Sequence, residues 1–124
     1  PKHFPTNPER ADRAVVAIVR MGADPSGYMA ATYRSLWAED RDISQETTII
    51  DNLRRTGHDA ERVLADADAD AVGQVLHDNT GEAIALQLPG VPGYVRAGEP
   101  FWGQDRLDLL ERALADDRAA FAAR

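Results

Sequence analysis

Residues 90–107 read GVPGYVRAGEPFWGQDRL, and this stretch decides the fold. Its β-prone residues lie on both sides of Ala97-Gly98, which predicts a β-hairpin over residues 94–102. Pro100 has no N–H to donate, so its strand is expected at a sheet edge or with that side unpaired. The bond between Val91 and Pro92 directly precedes the hairpin. A last helix is expected to follow, with Asp105 as its N-cap and an apolar stripe formed by Leu107, Leu110, Leu114 and Phe121.

The preceding segment, residues 7–88, is predicted to be almost entirely helical. Apolar residues recur there at helical spacing in several stretches that turn residues separate. Tyr33 and Trp37 follow this spacing in the second helix and are predicted to pack in the core. Gly22 and Gly57 are expected to end the first and third helices. The expected helix starts are Asn7 or Thr6 (with Thr6 and Glu9 at capping-box spacing), Asp24-Pro25, Ser44, Asp59 and Asp70.

Composition excludes several classes of function. The 124 residues carry a net charge of −7 and a single lysine, Lys2, which argues against nucleic-acid binding and against an anionic membrane surface. No apolar run is long enough to span a membrane. There is no cysteine, so disulfides, Cys-ligated zinc and thiol nucleophiles are excluded within these residues. This composition is compatible with a reducing, cytoplasmic setting, which we expect.

No metal site and no catalytic residue is predicted within the chain. Asp66-x-Asp68-x-Asp70 resembles the start of a calcium loop, but Ala71 and His77 occupy the positions where that loop needs glycine and glutamate. The three histidines show no zinc-ligand spacing. Acidic neighbours such as Asp116 and Asp117 point in different directions on a helix, so solvated side chains are the better interpretation.

The predicted binding site lies around Val91 and Pro92. A cis bond there would turn the Val91 amide and carbonyl outward, free to pair with an extended ligand in the manner of an added strand. Gln104 and Asp105, at a helix start, would offer amides that favour a carboxylate. A tripeptide with a thiol and a terminal carboxylate fits both features. For Trp102, at the strand-to-helix corner, both a site-lining role and ordinary packing remain open.

The run Gly-Val-Pro-Gly-Tyr-Val-x-x-Gly-Glu-x-Phe-Trp-Gly-Gln-Asp-Arg-Leu at 90–107 resembles the 2-hydroxychromene-2-carboxylate isomerase family. Residues 3–8, HFPTNP, and residues 36–43, LWAEDRDI, are similar to the helical insertion of that family. These proteins are related to kappa-class glutathione transferases and DsbA-like oxidoreductases. The resemblance implies an α/β thioredoxin-like fold with a large helical insertion at residues 1–88. It assigns residues 89–124 to the C-terminal ββα part, and an N-terminal βαβ part is expected before Pro1.

The resemblance also implies a glutathione-dependent isomerase that acts on an aromatic-catabolic intermediate by reversible thiol addition. Its activating serine would lie upstream of this chain. The alternatives are a DsbA-like thiol–disulfide oxidoreductase with an upstream Cys-x-x-Cys, and a non-catalytic helical interaction module. A small-molecule substrate and a homodimer are expected, with no nucleic-acid or membrane partner. The residues implied to bind glutathione are Val91, Pro92, Gly103, Gln104 and Asp105, and Asn7 and Trp102 are implied at the rim of the substrate cleft.

Overall fold

A computed structural model describes residues 1–121, and the contacts divide the chain into two compact units, Pro1–Leu76 and His77–Arg124. Both the predicted helices and the predicted hairpin are present. The predicted boundary between residues 88 and 89 stays a prediction, and residues 122–124 lie outside the described residues. The elements in chain order are α1 (Glu9–Arg20), α2 (Ser26–Trp37), α3 (Glu46–Arg55), α4 (Ala60–Ala67), α5 (Asp70–Ala85), β1 (Gly93–Arg96), β2 (Glu99–Trp102), a 3-10 turn (Gln104–Arg106) and α6 (Leu107–Ala115).

The first unit is a small helical assembly in which α1 packs on α4 and α2 packs on α3. Alanines with no exposed surface on α1 and α4, including Ala14 and Ala67, face the core of this unit. Small side chains let two helix backbones approach closely, and larger residues such as Ile18 and Leu53 then fill the space between the pairs. This unit therefore has an apolar core of its own.

Two of the predicted helix ends are confirmed, together with one of the predicted N-caps. Gly22 and Gly57 follow α1 and α3 with φ of 74° and 83°, a region that glycine adopts without steric cost. Asp59 caps α4, since its side chain accepts a hydrogen bond from the backbone N–H of Arg62 at 3.1 Å.

Two other predicted caps are wrong. The hydroxyls of Thr6 and Ser44 both donate to Oδ1 of Asp42, at 3.2 and 2.7 Å. Neither hydroxyl caps a helix; Asn7 instead accepts from the N–H of Glu9 at 3.0 Å. The hydrogen bonds that the Asp42 carboxylate accepts lower its pKa to about 2, and the bond from the Ser44 hydroxyl is the largest cause. Asp42 therefore joins two chain segments that the sequence pattern treats separately.

The predicted core roles of Tyr33 and Trp37 are also wrong, because 59% and 56% of their surfaces are exposed. Helix α2 instead turns Tyr28, Thr32 and Ser35 inward. The buried hydroxyls have partners: Thr32 donates to the carbonyl of Tyr28 at 2.9 Å, and Ser35 donates to Asn52 at 3.0 Å. A buried polar group costs little when it is hydrogen-bonded, so this polar face packs inward.

The acidic run at Asp66 and Asp68 is used in ion pairs. Asp66 pairs with Arg20 at 3.1 Å, and Asp68 pairs with Arg10 at 2.6 Å. Within residues 1–121, no group of three or more His, Cys, Asp or Glu side chains is arranged to hold a metal ion. In the same range, none of the helices has the length and apolar character needed to cross a membrane.

The second unit is built on the hairpin. Strands β1 and β2 are antiparallel, with Tyr94 opposite Phe101 and Arg96 opposite Glu99. Phe101 and Glu99 are buried, and α6 packs against β2. The other face is more open, and Val95 is 39% exposed on it.

The last helix is shorter than the sequence predicts. It begins at Leu107 after the 3-10 turn, without a side-chain cap, and ends at Ala115, so the cap role of Asp105 and the continuation of the stripe to Phe121 are wrong. The chain leaves α6 through Asp117, whose φ is 43°. This turn directs the following residues back to the hairpin, where Arg118 and Phe121 contact Glu99.

Candidate functional site

One cavity in the second unit contains most of the residues that sequence analysis assigns to a site. Its volume is about 480 Å³, which lies within the roughly 300–1,000 Å³ that is typical of small-molecule sites. The residues that line it come from the segment before β1, the end of β2 and the 3-10 turn that precedes α6: Val91, Pro92, Trp102, Gly103, Gln104, Asp105 and Arg106.

Val91 and Pro92 form one wall of this cavity. Their peptide bond is cis, as predicted. The carbonyl of Pro92 accepts a hydrogen bond from the N–H of Gly103 at 2.9 Å, which joins this wall to the end of β2. The side chain of Val91 is 92% exposed, and its amide and carbonyl have no protein partner within residues 1–121. Val91, in the bend just before β1, therefore presents one free donor and one free acceptor.

Trp102 stands at the edge of the cavity because β-pairing places it opposite Gly93, next to Pro92. Its indole lies against Gly90: a Cβ added there would be 3.1 Å from Nε1 of Trp102. About half of the Trp102 surface, 53%, remains exposed. The site-lining interpretation of this residue agrees with the geometry.

Gly103 makes the sharp change of direction between β2 and the 3-10 turn. Its φ of 97° and ψ of 151° belong to a region that only glycine occupies readily. The Asp105 carboxylate lies directly over the Gly103 Cα, in the space that a Cβ would need. Both the backbone and the neighbouring carboxylate therefore require glycine here.

The 3-10 turn before α6 lines the cavity and carries unpaired backbone donors. The N–H groups of Gln104 and Asp105 have no acceptor within the part of the chain that the structure describes, whereas the N–H of Arg106 bonds to the carbonyl of Gly103 at 3.1 Å. Two adjacent free amides can donate hydrogen bonds to a negatively charged group.

Arg106 is a lining residue that sequence reasoning did not identify. Its Nε lies 3.8 Å from Oδ2 of Asp105, and both side chains are more than half exposed. Such an exposed pair is weak, so both charges stay available to a ligand. Arg106 directly follows two predicted site residues in the sequence, and this position could have identified it.

Asn7 is the one predicted site residue that does not line this cavity. It belongs to the first unit, where its side-chain oxygen is used by the turn that begins α1. Its predicted role at the substrate cleft stays a prediction, as do the roles in glutathione binding of the residues that do line the cavity.

The arrangement is suited to binding. It combines the exposed backbone of Val91, two free amides, one carboxylate, one guanidinium and an indole. The seven lining residues include no thiol and no hydroxyl.

Comparison with known proteins gave a match to one family model. The model of the family described as "DSBA-like thioredoxin domain" matches residues 1–115. No curated protein gave a match, and no solved structure did. The family indicates a thioredoxin-like fold and a thiol-related function of the oxidoreductase or isomerase type. With that match over most of its length, the chain belongs to the DSBA-like thioredoxin domain family.

Proposed function

We propose that the protein is a glutathione-dependent isomerase of the 2-hydroxychromene-2-carboxylate isomerase type and that glutathione binds in the cavity beside Val91. The observation that carries this proposal is the arrangement of unpaired backbone groups. The donor and acceptor of Val91 and the amides of Gln104 and Asp105 line one cavity of about 480 Å³.

The cysteinyl and γ-glutamyl parts of glutathione have complementary partners in this site. The cysteinyl backbone pairs with the amide and carbonyl of Val91, as an added strand pairs with a sheet edge. The carboxylate of the γ-glutamyl end accepts hydrogen bonds from the amides of Gln104 and Asp105. The α-ammonium group of the same end pairs with the Asp105 side chain, and Trp102 covers the apolar edge of the substrate.

The reaction that we propose is reversible addition of a thiolate. The glutathione sulfur forms a bond to an electrophilic carbon of an aromatic-catabolic substrate, and the adjacent double bond becomes single and rotates. The carbon–sulfur bond then breaks with its electron pair on sulfur, and the pair that addition displaced into the substrate re-forms the double bond, so glutathione is released unchanged as its thiolate. The proposal assigns activation of the thiol to a serine upstream of residue 1, and it includes a cytoplasmic location, where the glutathione pool is reduced.

A thiol–disulfide oxidoreductase is the second candidate, and the family description favours it. The same exposed backbone of Val91 would then pair with a peptide that carries a disulfide. The chain has no cysteine of its own, so this activity requires a redox-active cysteine from outside residues 1–124.

Calorimetric titration of the protein with reduced glutathione tests the binding site. Asp105→Asn is expected to weaken binding about tenfold, because a charged hydrogen-bonding group is lost. Asp108→Asn is the matched control: Asp108 lies in the first turn of α6 but does not line the cavity. Absence of binding at millimolar glutathione, or equal loss in both variants, would contradict the proposed site and leave the interaction module as the better interpretation.

Product analysis separates the two enzymatic candidates. An isomerase converts an aryl-substituted cis-enone to its trans isomer with a catalytic amount of glutathione and no net oxidation. An oxidoreductase uses two glutathione thiols to reduce each substrate disulfide, so one glutathione disulfide accumulates for every substrate disulfide that is reduced. Formation of glutathione disulfide without isomerised enone would contradict the isomerase proposal.

A further inference from the structure

A second, smaller cavity lies in the first unit between the beginning of α1 and the middle of α2. Its volume is about 80 Å³. A dry cavity of about 150 Å³ accommodates benzene, so this one has room for roughly three or four non-hydrogen atoms. The residues that line it are Pro8, Ala11, Asp12, Val15, Tyr28, Met29, Thr32, Tyr33 and Ile43.

Asp12 is the single charged residue in that lining, and its carboxylate has no hydrogen-bond donor or cation as a partner within residues 1–121. Its arginine neighbours on α1 are committed elsewhere: Arg10 pairs with Asp68 at 2.6 Å, and Arg13 donates to the carbonyl of Ala67 at 2.7 Å. More than a third of the Asp12 surface is open to water. Even so, the apolar groups around the carboxyl remove enough water to raise its pKa.

Two tyrosine rings border the same space. Tyr28 is fully buried, whereas Tyr33 is 59% exposed. The Thr32 hydroxyl already donates to the carbonyl of Tyr28, so it does not donate to Asp12. The faces of aromatic rings attract a cation, and the carboxylate supplies the opposite charge.

We propose that this cavity binds a small alkylammonium group, with the nitrogen at Asp12 and the alkyl carbons between Tyr28, Met29 and Val15. The lining matches both the charged nitrogen and the apolar carbons of that ligand. A hydrated inorganic cation does not match the apolar walls, and a purely apolar ligand leaves the carboxylate unpaired. The net charge of −7 also raises the local concentration of cations. This inference is independent of the proposed function, because every residue that carries it lies in the first unit.

Isopropylammonium is the probe, and isopropanol is its neutral counterpart of nearly equal size. Binding is followed by amide chemical shifts of the protein during titration. Isopropylammonium is expected to saturate shifts in α1 and α2, with isopropanol at least about tenfold weaker, as loss of a charged hydrogen bond predicts. Equal affinity for the two probes, or no saturation up to about 100 mM ammonium, overturns the proposal.

Asp12→Asn tests the role of the carboxylate. The variant is expected to weaken isopropylammonium binding by about tenfold or more and to leave the isopropanol affinity unchanged. Glu61→Gln is the matched control, because Glu61 is also in the first turn of a helix and does not line the cavity. If Glu61→Gln weakens binding as much as Asp12→Asn, or if Asp12→Asn has no effect, the ammonium site is wrong.

A pair of Tyr33 variants separates ligand contact from folding. Tyr33→Phe keeps the ring and is expected to keep binding within about twofold, whereas Tyr33→Ala removes the ring and is expected to weaken binding several-fold, by roughly threefold to fivefold. Tyr33 is mostly exposed, so both variants should fold, and circular dichroism verifies this. Unchanged affinity in a folded Tyr33→Ala protein contradicts the proposed contact.

Discussion

The Arg118 guanidinium contacts the Glu99 carboxylate at two points: Nη1 lies 2.8 Å from Oε2, and Nη2 lies 2.8 Å from Oε1. The N–H of Phe121 donates to the same carboxylate at 3.2 Å. Arg96, opposite Glu99 in the hairpin, donates to the carbonyl of Arg118 at 2.7 Å. Two neighbouring strand residues thus attach the segment after α6 to the hairpin.

Glu99→Gln is expected to lower the unfolding midpoint at about pH 7, because the change removes the charged acceptor of Arg118. The Arg118 hydrogen bonds hold the Glu99 pKa below its ordinary value of 4.5, with smaller contributions from the Phe121 amide and the charges of Arg118 and Arg96. The carboxylate therefore stabilises the fold above pH 4.5, and this contribution is lost as the pH falls through the lowered pKa.

The thermal unfolding midpoints of the wild type and of Glu99→Gln are measured from about pH 7 to below pH 4.5. The difference between the two midpoints should be largest near neutral pH and should shrink on acidification. Glu111→Gln, at a residue with no ion pair within residues 1–121, serves as the control. A difference that stays constant with pH would contradict the role of the Glu99 charge.

Ser35→Ala is expected to destabilise the protein by about 1–3 kcal/mol. The Ser35 side chain is fully buried, donates to Asn52 and accepts from Nη2 of Arg55 at 2.6 Å. Arg55 also contacts Asn52 directly, so the serine belongs to a network between α2 and α3. Urea denaturation measures the change. Thr47→Ala, at an exposed position of α3, is the control and is expected to change stability by less than about 0.5 kcal/mol.

Gly103→Ala is expected to cost about 1–3 kcal/mol of stability and to weaken glutathione binding. An added Cβ would require a backbone conformation that alanine rarely adopts, and it would displace the Asp105 carboxylate. Gly98→Ala is the control, since Gly98 also has a positive φ, of 83°, but has open space around it. If both variants bind glutathione equally well, the proposed importance of the Gly103–Asp105 contact is wrong.

Gly81→Ala is expected to stabilise the protein by roughly 0.5–1 kcal/mol, the usual difference between the two residues inside a helix. Gly81 is exposed on α5, and a Cβ there meets no atom within 4 Å. Gly73, on the same helix, is the contrast, because a Cβ there would lie 3.1 Å from Nη1 of Arg13. Denaturant unfolding should show a smaller increase in the free energy of unfolding, or none, for Gly73→Ala.

Local signals in the sequence were sufficient to predict the hairpin, the cis bond at Pro92 and the glycine stops. Each depends on residues that are adjacent or a few positions apart. The cavity lining followed for the same reason, because the chain from Val91 to Arg106 folds back on itself through one short hairpin. The adjacency of residues in the sequence does not identify the ligand of this cavity.

The errors share a different cause. Thr6 and Ser44 bind Asp42 instead of capping helices, and the Thr6 contact spans 36 residues of sequence. Tyr28 replaces Trp37 in the core, where the hydroxyls of Tyr28 and Ser35 donate to Ala11 and Asn52 on other helices. Helical periodicity ranks residues by hydrophobicity alone, so it does not detect a polar face that becomes buried through long-range hydrogen bonds.

The position of Trp102 also offers a way to measure ligand binding. The chain has two tryptophans, and the indole at Gly90 borders the proposed glutathione site while Trp37 belongs to the first unit. A Trp37→Phe protein therefore carries a single tryptophan, at the cavity rim. Its emission spectrum responds to the water that an incoming ligand removes, so occupancy can be followed in real time without attaching any dye.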